Sequence, residues 1–290
     1  MCDFWTELGR NLTARIAATE DPASVSIEQI MAFREEEDYK IMERLRRLVA
    51  ETVTDPDTAE ALKPYYRFMC KRPTSSEHYL ATFNRPNVTL VDVSASKGVE
   101  RLTEKGIVAD GVEYEVDCVI FASGFEISTE ISRRFAIDAI EGRDGLSLFD
   151  HWHDSYKTLH GMTSRGFPNQ FFMGFIQGGV SANTTAMFEQ QAKHIAYIIA
   201  EAQNRGGATV VEPSQEGQDA WVNTVRELSI DNSAFELSCT PGYYNNEGQG
   251  GAKDNGAFLG DFYSPGFYAF DELLAEWRAK GDLDGLVLGT

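Results

Sequence analysis

The segment Asp117-Cys118-Val119-Ile120-Phe121-Ala122-Ser123-Gly124-Phe125 constrains the fold more than any other stretch of the chain. Side chains alternate between the two sides of a strand, so a nearly continuous apolar run puts apolar groups on both faces. Such a strand is stable only between two covering layers, as in a parallel sheet with helices above and below. The run ends in small residues, and Ala122, Ser123 and Gly124 let the backbone approach a ligand closely where a larger side chain would collide. A tightly packed strand end with no ligand fits the same residues. The expected class is α/β.

Periodicity assigns the rest. Residues 1 to about 64 read as helical: Ile41, Leu45, Leu48 and Val49 fall at i, i+4, i+7 and i+8, one stripe of a 3.6-residue period, with Arg44, Arg46 and Arg47 mostly off it. The polar stretch TDPDTAE and Pro64 are expected to interrupt that pattern. Val88–Val93 is a short β-branched run, and turn signals follow at Glu104-Lys105-Gly106 and Asp110-Gly111, the latter suited to a tight hairpin. Gln170–Ile176 reads as a strand and Gln177-Gly178-Gly179 as a tight loop. A long helix follows, with Phe188, Gln191, Ile195, Ile198 and Ile199 on one side, Asn183 or Thr184 as cap, and Gly206-Gly207 at its end. Met187 shares helical spacing with Gln191 and reads as core. Strand, glycine loop and helix together aim backbone N–H groups at an anion; an ordinary strand-to-helix connection has the same pattern. Another helix carries Trp221, Val225 and Leu228 after the cap Ser214. A loop rich in Gly and Asn spans 241–256, and a last helix carrying Phe270, Leu273, Leu274 and Trp277 stops at Gly281.

Charge and cysteine usage exclude several classes. Lys and Arg number 26 against 45 Asp and Glu, a net charge of −19, which repels phosphate backbones and anionic lipid. No nucleic-acid or membrane partner is expected, and a bound nucleotide needs a local cationic spot. The 4 cysteines form no CxxC pair, which argues against a disulfide framework or a zinc site and for reduced thiols in the cytoplasm. His151 and His153 lack a third ligand at useful spacing, so no metal is expected. There is no G-x-S-x-G elbow and no Walker loop.

Three stretches carry a resemblance. They are Cys70-Lys71-Arg72-Pro73 with Tyr79 and Phe83-Asn84-Arg85-Pro86-Asn87-Val88; Asp117 to Phe125, similar to D-x-[IV]-[IVL]-x-A-T-G-F with Ser123 for Thr; and Trp152, Gly161-Met162, Gly166-Phe167-Pro168-Asn169 and Phe171-Phe172. In order and spacing, over residues 30–290, they resemble the flavin-dependent Baeyer–Villiger monooxygenases, the group of cyclohexanone and phenylacetone monooxygenases. That family carries two G-x-G-x-x-G loops and an F-x-G-x-x-x-H-x-x-x-W fingerprint, none of which occurs here. The resemblance therefore implies a partial two-dinucleotide-binding-domain flavoprotein fold, a C-terminal portion lacking the N-terminal Rossmann halves, with a small N-terminal helical subdomain. The implied divisions are 1–66, the end of a helical insertion; 67–117, the last part of an NADP domain; and 118–290, the C-terminal half of an FAD domain.

The resemblance also implies roles. In the family a reduced flavin reacts with oxygen, and the anionic adduct attacks a ketone carbonyl to give an ester or lactone. Arg72 matches the cation that steadies this negative charge, a role suited to a side chain that keeps its proton. Losing such a contact typically costs about 3 kcal/mol of barrier. Lys71 matches the contact to the 2′-phosphate of NADPH, while Ala122, Ser123 and Gly124 would lie against cofactor. Gln177, Gly178, Ser181, Asn183 and Thr184 would meet the flavin edge through backbone N–H groups and the positive helix end. A lone Lys-Arg pair is otherwise a solvated surface feature. The implied cofactors are FAD and NADPH, and the implied partners a ketone, oxygen and an N-terminal half of the same enzyme. Two other readings stay open: a truncated or split-gene product that is not itself a catalyst, and another flavoprotein monooxygenase such as an N-hydroxylating one.

Overall fold

The first long helix begins where its sequence provides for it. Ser26 accepts from the Gln29 amide and the Gln29 side chain accepts from the Ser26 amide, a reciprocal cap that satisfies two amides at the helix start. The computed structural model describes residues 4–125, 136–205, 207–231, 233–242, 244–248 and 261–289. They fall into two units, Met1–Phe125 and Glu126–Thr290.

In the first unit, α1 (Glu7–Ala17), α2 (Ile27–Thr52), α3 (Pro56–Leu62) and α4 (Tyr79–Thr82) precede three short strands, β1 (Arg101–Leu102), β2 (Gly106–Ala109) and β3 (Val112–Glu115). The buried side of α2 serves two clusters: Ile41 and Met42 pack with Leu8 and Phe68, and Val49 packs with Val53 and Ala59. Leu48, expected on the stripe, is exposed, because Met42 occupies the inner face instead. The TDPDTAE stretch starts a helix rather than only interrupting one: Asp55 caps α3 and Pro56 takes its first turn, where the missing proline N–H costs nothing. The strands form an antiparallel meander with Ile107 opposite Tyr114. Asp110 and Gly111 both adopt positive φ, the two-residue hairpin geometry that Asp-Gly favours.

The two remaining strand expectations of this unit fail. Residues 88–93 and 117–125 lie outside every strand, and among the described residues nothing pairs with 117–125. Ile120, Phe121 and Phe125 are 84%, 79% and 83% exposed. The propensity is there; the described residues supply neither neighbouring strands nor covering layers. All strand pairs among the described residues are antiparallel.

The second unit contains α5 (Leu148–His151), α6 (Thr184–Asn204), β4 (Val210–Pro213), α7 (Gln215–Glu227), α8 (Ser233–Ser238), α9 (Phe267–Lys280) and β5 (Leu286–Gly289). Strands β4 and β5 pair antiparallel. Ser214 caps α7 by accepting from the Gly217 amide, and Gly281 ends α9 in the left-handed conformation that glycine adopts without strain. Phe270 and Leu274 of α9 pack with Trp221, Val225, Met162 and Leu159. A second cluster joins Leu148, Trp152, Tyr156 and Phe167.

The buried face of α6 comprises Met187, Gln190, Gln191, His194, Ile198 and Ala202. Phe188 and Ile199, assigned to that face from spacing, are exposed. The polar Gln190 and His194, absent from the spacing-based stripe, occupy inward positions, so the true stripe lies about one residue round the helix. Gln170–Ile176 forms no strand. The Gln191 amide group pairs with both backbone polar groups of Gly174, accepting at 3.0 Å and donating at 2.7 Å, as a neighbouring strand would. Residues 206, 243 and 249–256 of the expected glycine stop and of the Gly/Asn-rich loop lie outside the described residues. Cys118 is a free, exposed thiol, but Cys70 and Cys239 each stand in a disulfide, against the expectation of reduced thiols. Among the described residues no helix is long and apolar enough to cross a membrane.

Candidate functional site

The loop before α6 divides its residues between interior and surface. Gln177 sits at φ +47 with every polar group engaged. Its Oε1 accepts from Thr158 at 2.5 Å and its Nε2 donates to the Tyr156 carbonyl at 3.0 Å. Its amide donates to the Asp261 carbonyl at 2.7 Å and its carbonyl accepts from the Trp221 indole at 3.2 Å. Gly178 lies against Phe270 and Gln191, and a Cβ at Gly179 would come within 2.6 Å of Phe270 Cβ. These residues fasten the loop to α9 and α7, and the Gln177 side chain is tied to Thr158 and Tyr156.

The next residues open outward. Ser181 accepts from the Asn183 amide at 3.1 Å, and Asn183 Oδ1 caps α6 by accepting from the Ala186 amide and the Thr185 hydroxyl. The amides of Thr184 and Thr185 have no partner among the described residues, and both residues are exposed. A 21-residue helix thus presents free N–H groups and its positive end to whatever lies beyond. This end fits an anionic or carbonyl edge of a cofactor; Ser181, Asn183 and Thr184 would surround it.

Lys71, Arg72 and Ala122–Gly124 belong to the first unit, the loop residues to the second. Arg72 is exposed, its guanidinium 5.5 Å from the Trp5 ring centre. Lys71 is half-buried, its ammonium 5.9 Å from the Tyr66 ring centre. The water-poor surroundings that a charge-stabilising arginine needs are not formed by the described residues around it. Ala122, Ser123 and Gly124 are exposed, and nothing lies within 4 Å of a Cβ built on Gly124, so backbone there is free to be approached.

Two buried histidines escaped the sequence reading. His160 Nδ1 and His194 Nε2 lie 3.3 Å apart, and Arg278 Nη1 lies 3.3 Å from His194 Nδ1. Arginine only donates, so His194 Nδ1 accepts and its Nε2–H donates to His160. Trp221 and Trp277 flank His160 edge-on. Burial pushes His160 down to about 3 and, with His160 and Arg278 adding repulsion, His194 down to about 2. The two are separated by more than thirty positions in sequence, and only the adjacency of His160 to Gly161-Met162 could have marked it. Burial also raises the Asp261 carboxyl, which Arg226 and the Tyr156 amide only partly offset.

Much of the third motif serves packing. A Cβ on Gly161 would overlap the Ile176 carbonyl oxygen. Phe167 is core. The Asn169 side chain accepts from the Val211 amide and donates to the Thr209 carbonyl, closing the outer edge of β4. His151 packs on Phe167 and His153 pairs with Asp154; among the described residues no cluster of potential metal ligands occurs.

No family model matches the sequence. Individual relatives match along almost all of it. Pentalenolactone D synthase of Streptomyces exfoliatus is 43% identical over 288 residues, 99% of this chain and 48% of that protein. A Baeyer-Villiger monooxygenase of Streptomyces coelicolor is 40% identical over 281 residues, 97% and 45% of the two chains. A protein of Hypomyces subiculosus named an FAD-binding monooxygenase is 39% identical over 266 residues, 92% and 42%. Among solved structures, the polycyclic ketone monooxygenase of Thermothelomyces thermophila superposes with a TM-score of 0.83 at 32% identity, covering 100% of this chain and 46% of that one. Cyclohexanone monooxygenase of Rhodococcus sp. Phi1 bound to NADP+ gives 0.71 at 27% identity, covering 88% and 46%. The chain spans about half the length of the curated relatives it matches.

Proposed function

We propose that this chain, homologous along nearly its whole length to the C-terminal half of Baeyer–Villiger monooxygenases, contributes to FAD- and NADPH-dependent insertion of oxygen beside a ketone carbonyl, giving an ester or lactone. The other contributor is polypeptide equivalent to the N-terminal half of those relatives. The relationship to monooxygenases over 97–99% of the chain carries this reading. Residues 1–66 would end a helical insertion, 67–117 complete an NADP domain and 118–290 complete an FAD domain.

The flavin supplies oxygen activation. The chain's own residues bind and orient. The free Thr184 and Thr185 amides and the positive end of α6 favour electron-rich cofactor atoms, with Ser181 and Asn183 holding the loop in place. Ala122, Ser123 and Gly124 offer a narrow backbone surface, with the Ser123 hydroxyl replacing the family's threonine. Lys71 offers a compact ammonium to the 2′-phosphate of NADPH. Arg72 contributes a cation that keeps its proton, positioned for negative charge at the reacting centre once its surroundings are dehydrated by the other half.

The test uses the assembled two-half enzyme with a cyclic ketone. Arg72→Ala should reduce ester formation by roughly a hundredfold or more while the flavin absorption band is retained. Wild-type turnover by that variant would overturn the role, and a hydroxylamine product from an amine substrate in place of an ester would overturn the reaction. The observation that favours the non-catalytic reading for the chain by itself is the uncovered segment at 117–125, which leaves Ala122–Gly124 without the walls of a cofactor site.

A further inference from the structure

We infer that Asp38, a buried carboxylate on α2, positions Lys71 and so sets the preference for a nicotinamide cofactor that carries a 2′-phosphate; this rests on the role given to Lys71 above. Asp38 is 5% exposed and lies on the inward side of α2 with Ile41 and Met42, where an apolar side chain would pack. Its Oδ1 accepts from the Phe68 amide at 3.1 Å, and its Oδ2 has no hydrogen-bond partner among the described residues. The Arg67 Nε lies 4.0 Å from that oxygen. Burial raises the Asp38 carboxyl, and the Phe68 amide, Arg67 and Arg34 only partly offset this. A carboxyl group kept inside at that cost does something an apolar residue cannot. What it serves is one backbone amide, three positions before Lys71.

The turn that carries this amide is strained and fastened. Met69 sits at φ +68, a region sparsely populated by residues with a side chain and kept only where the surroundings impose it. The Cys70 amide donates to the Arg67 carbonyl at 3.1 Å, closing the turn. Phe68 packs with Leu8, Ile41 and Met42, and Cys70 is 2% exposed. Arg46 of α2 holds the entry by donating to the Pro64 carbonyl at 2.8 Å. With Phe68 and Cys70 turned inward, Lys71 leaves the turn half-buried, its ammonium near the Tyr66 ring at the turn's other end. Asp38 thus grips the middle of a loop whose entry and exit meet through Tyr66 and Lys71. Releasing the Phe68 amide lets Met69 relax toward negative φ. That rotation redirects the next peptides and carries the Lys71 ammonium away from the position in which it would meet a phosphate.

The test uses the assembled two-half enzyme with FAD and a reductant that opens the Cys70 disulfide, so that the disulfide does not hold the turn in place of Asp38. Dissociation constants of NADP+ and NAD+ are measured by titration calorimetry. Their ratio is independent of how much protein is folded, so a merely destabilising change leaves it where it was. Asp38→Ala should cut the preference for NADP+ by about tenfold, the scale of one misplaced charged contact. Asp38→Asn keeps the volume and an acceptor but loses the charge that strengthens the bond, and should cut it by about threefold. Lys71→Ala should cut the preference at least as far as Asp38→Ala, and adding Asp38→Ala to it should change nothing more, because both act on one contact. In the chain alone, amide exchange across 66–72 should quicken in Asp38→Ala while α2 stays protected. An unchanged ratio in the Asp38 variants overturns the inference, as does an additive effect in the double variant; where Asp38→Ala does not assemble, Asp38→Asn decides. The reading of Lys71 fails separately, by a Lys71→Ala enzyme with the wild-type ratio, and takes the inference with it.

Discussion

Residues 170–176 and 117–125 carry the same sequence signal and meet different fates. Both are short, apolar and aromatic or β-branched, and neither becomes a strand. In the first, Gly174 is paired through the Gln191 amide, Phe172 donates to the Met162 carbonyl, and Phe172 and Ile176 pack against the Trp152 cluster. In the second, the described residues supply no such substitute, and Ile120, Phe121 and Phe125 are exposed. A strand signal therefore states what a segment can bury, while the partner that buries it is a separate fact. In the second unit the buried Gln191 side chain takes the place of a strand neighbour at Gly174. The first unit has left its segment uncovered.

The second unit is also the acid-sensitive one. His160 and His194 are held near 3 and 2, below the ordinary 6.5. Between those values and 6.5 the unfolded chain binds protons that the folded one does not, so stability is fully present above about pH 6.5 and falls as pH drops. Each histidine contributes a slope of about 1.4 kcal/mol per pH unit in that window. Protonation would also set His194 against Arg278. The first unit has no buried histidine among its described residues. Near-ultraviolet dichroism of Trp152, Trp221 and Trp277, all in the second unit, should be lost between pH 6 and 4, roughly the start of that window, while α2 helicity survives. Simultaneous loss, or retention of the tryptophan signal at pH 4, would break the contrast.

How much was legible follows from the same distinction. Local chemistry read through: the Asp110-Gly111 hairpin, the Asn183 and Ser214 caps, the Gly281 stop and the core role of Met187 all depend on a few neighbouring residues. The α6 stripe differs from the spacing because Gln190 and His194 are buried polar residues, which a hydrophobic period does not count. The motif residues Gly161 and Asn169 turned out to serve packing and edge closure, a role that only the position of Ile176 and β4 reveals. The buried anchoring of Gln177 is not legible locally, because its partners Thr158, Tyr156 and Trp221 lie 19 to 44 positions away.

A smaller effect isolates the substitute for a strand. Gln191→Leu keeps the volume inside α6 and removes the amide that serves Gly174, leaving one backbone donor and one acceptor unpaired. The expected loss is about 2–3 kcal/mol, the usual cost of stranded buried groups, read as a lower midpoint in urea at unchanged slope. Gln191→Glu, when ionised, retains the acceptor for the Gly174 amide but loses the donor to its carbonyl; protonation restores an O–H donor, so the variant should recover stability below the carboxyl's titration. If Gln191→Leu is neutral, residues 170–176 are held by their aromatic packing alone and the two segments differ less than their hydrogen bonds suggest.

The smallest effect is the sharpest, because it compares one deletion at two places in the first unit. Ile41 is 2% exposed, between α1 and Phe68; Ile120 is 84% exposed. Replacing Ile41 with Ala removes buried methyl groups and leaves a cavity, at about 3 kcal/mol. Ile120→Ala removes the same atoms from water and should stay within about 0.5 kcal/mol in the chain alone, despite lying in the most strand-like run of the sequence. Urea unfolding of both variants measures the pair. A large loss from Ile120→Ala would mean that 118–125 is already covered within this chain, and the segment would then belong with 170–176 as a self-satisfied strand signal.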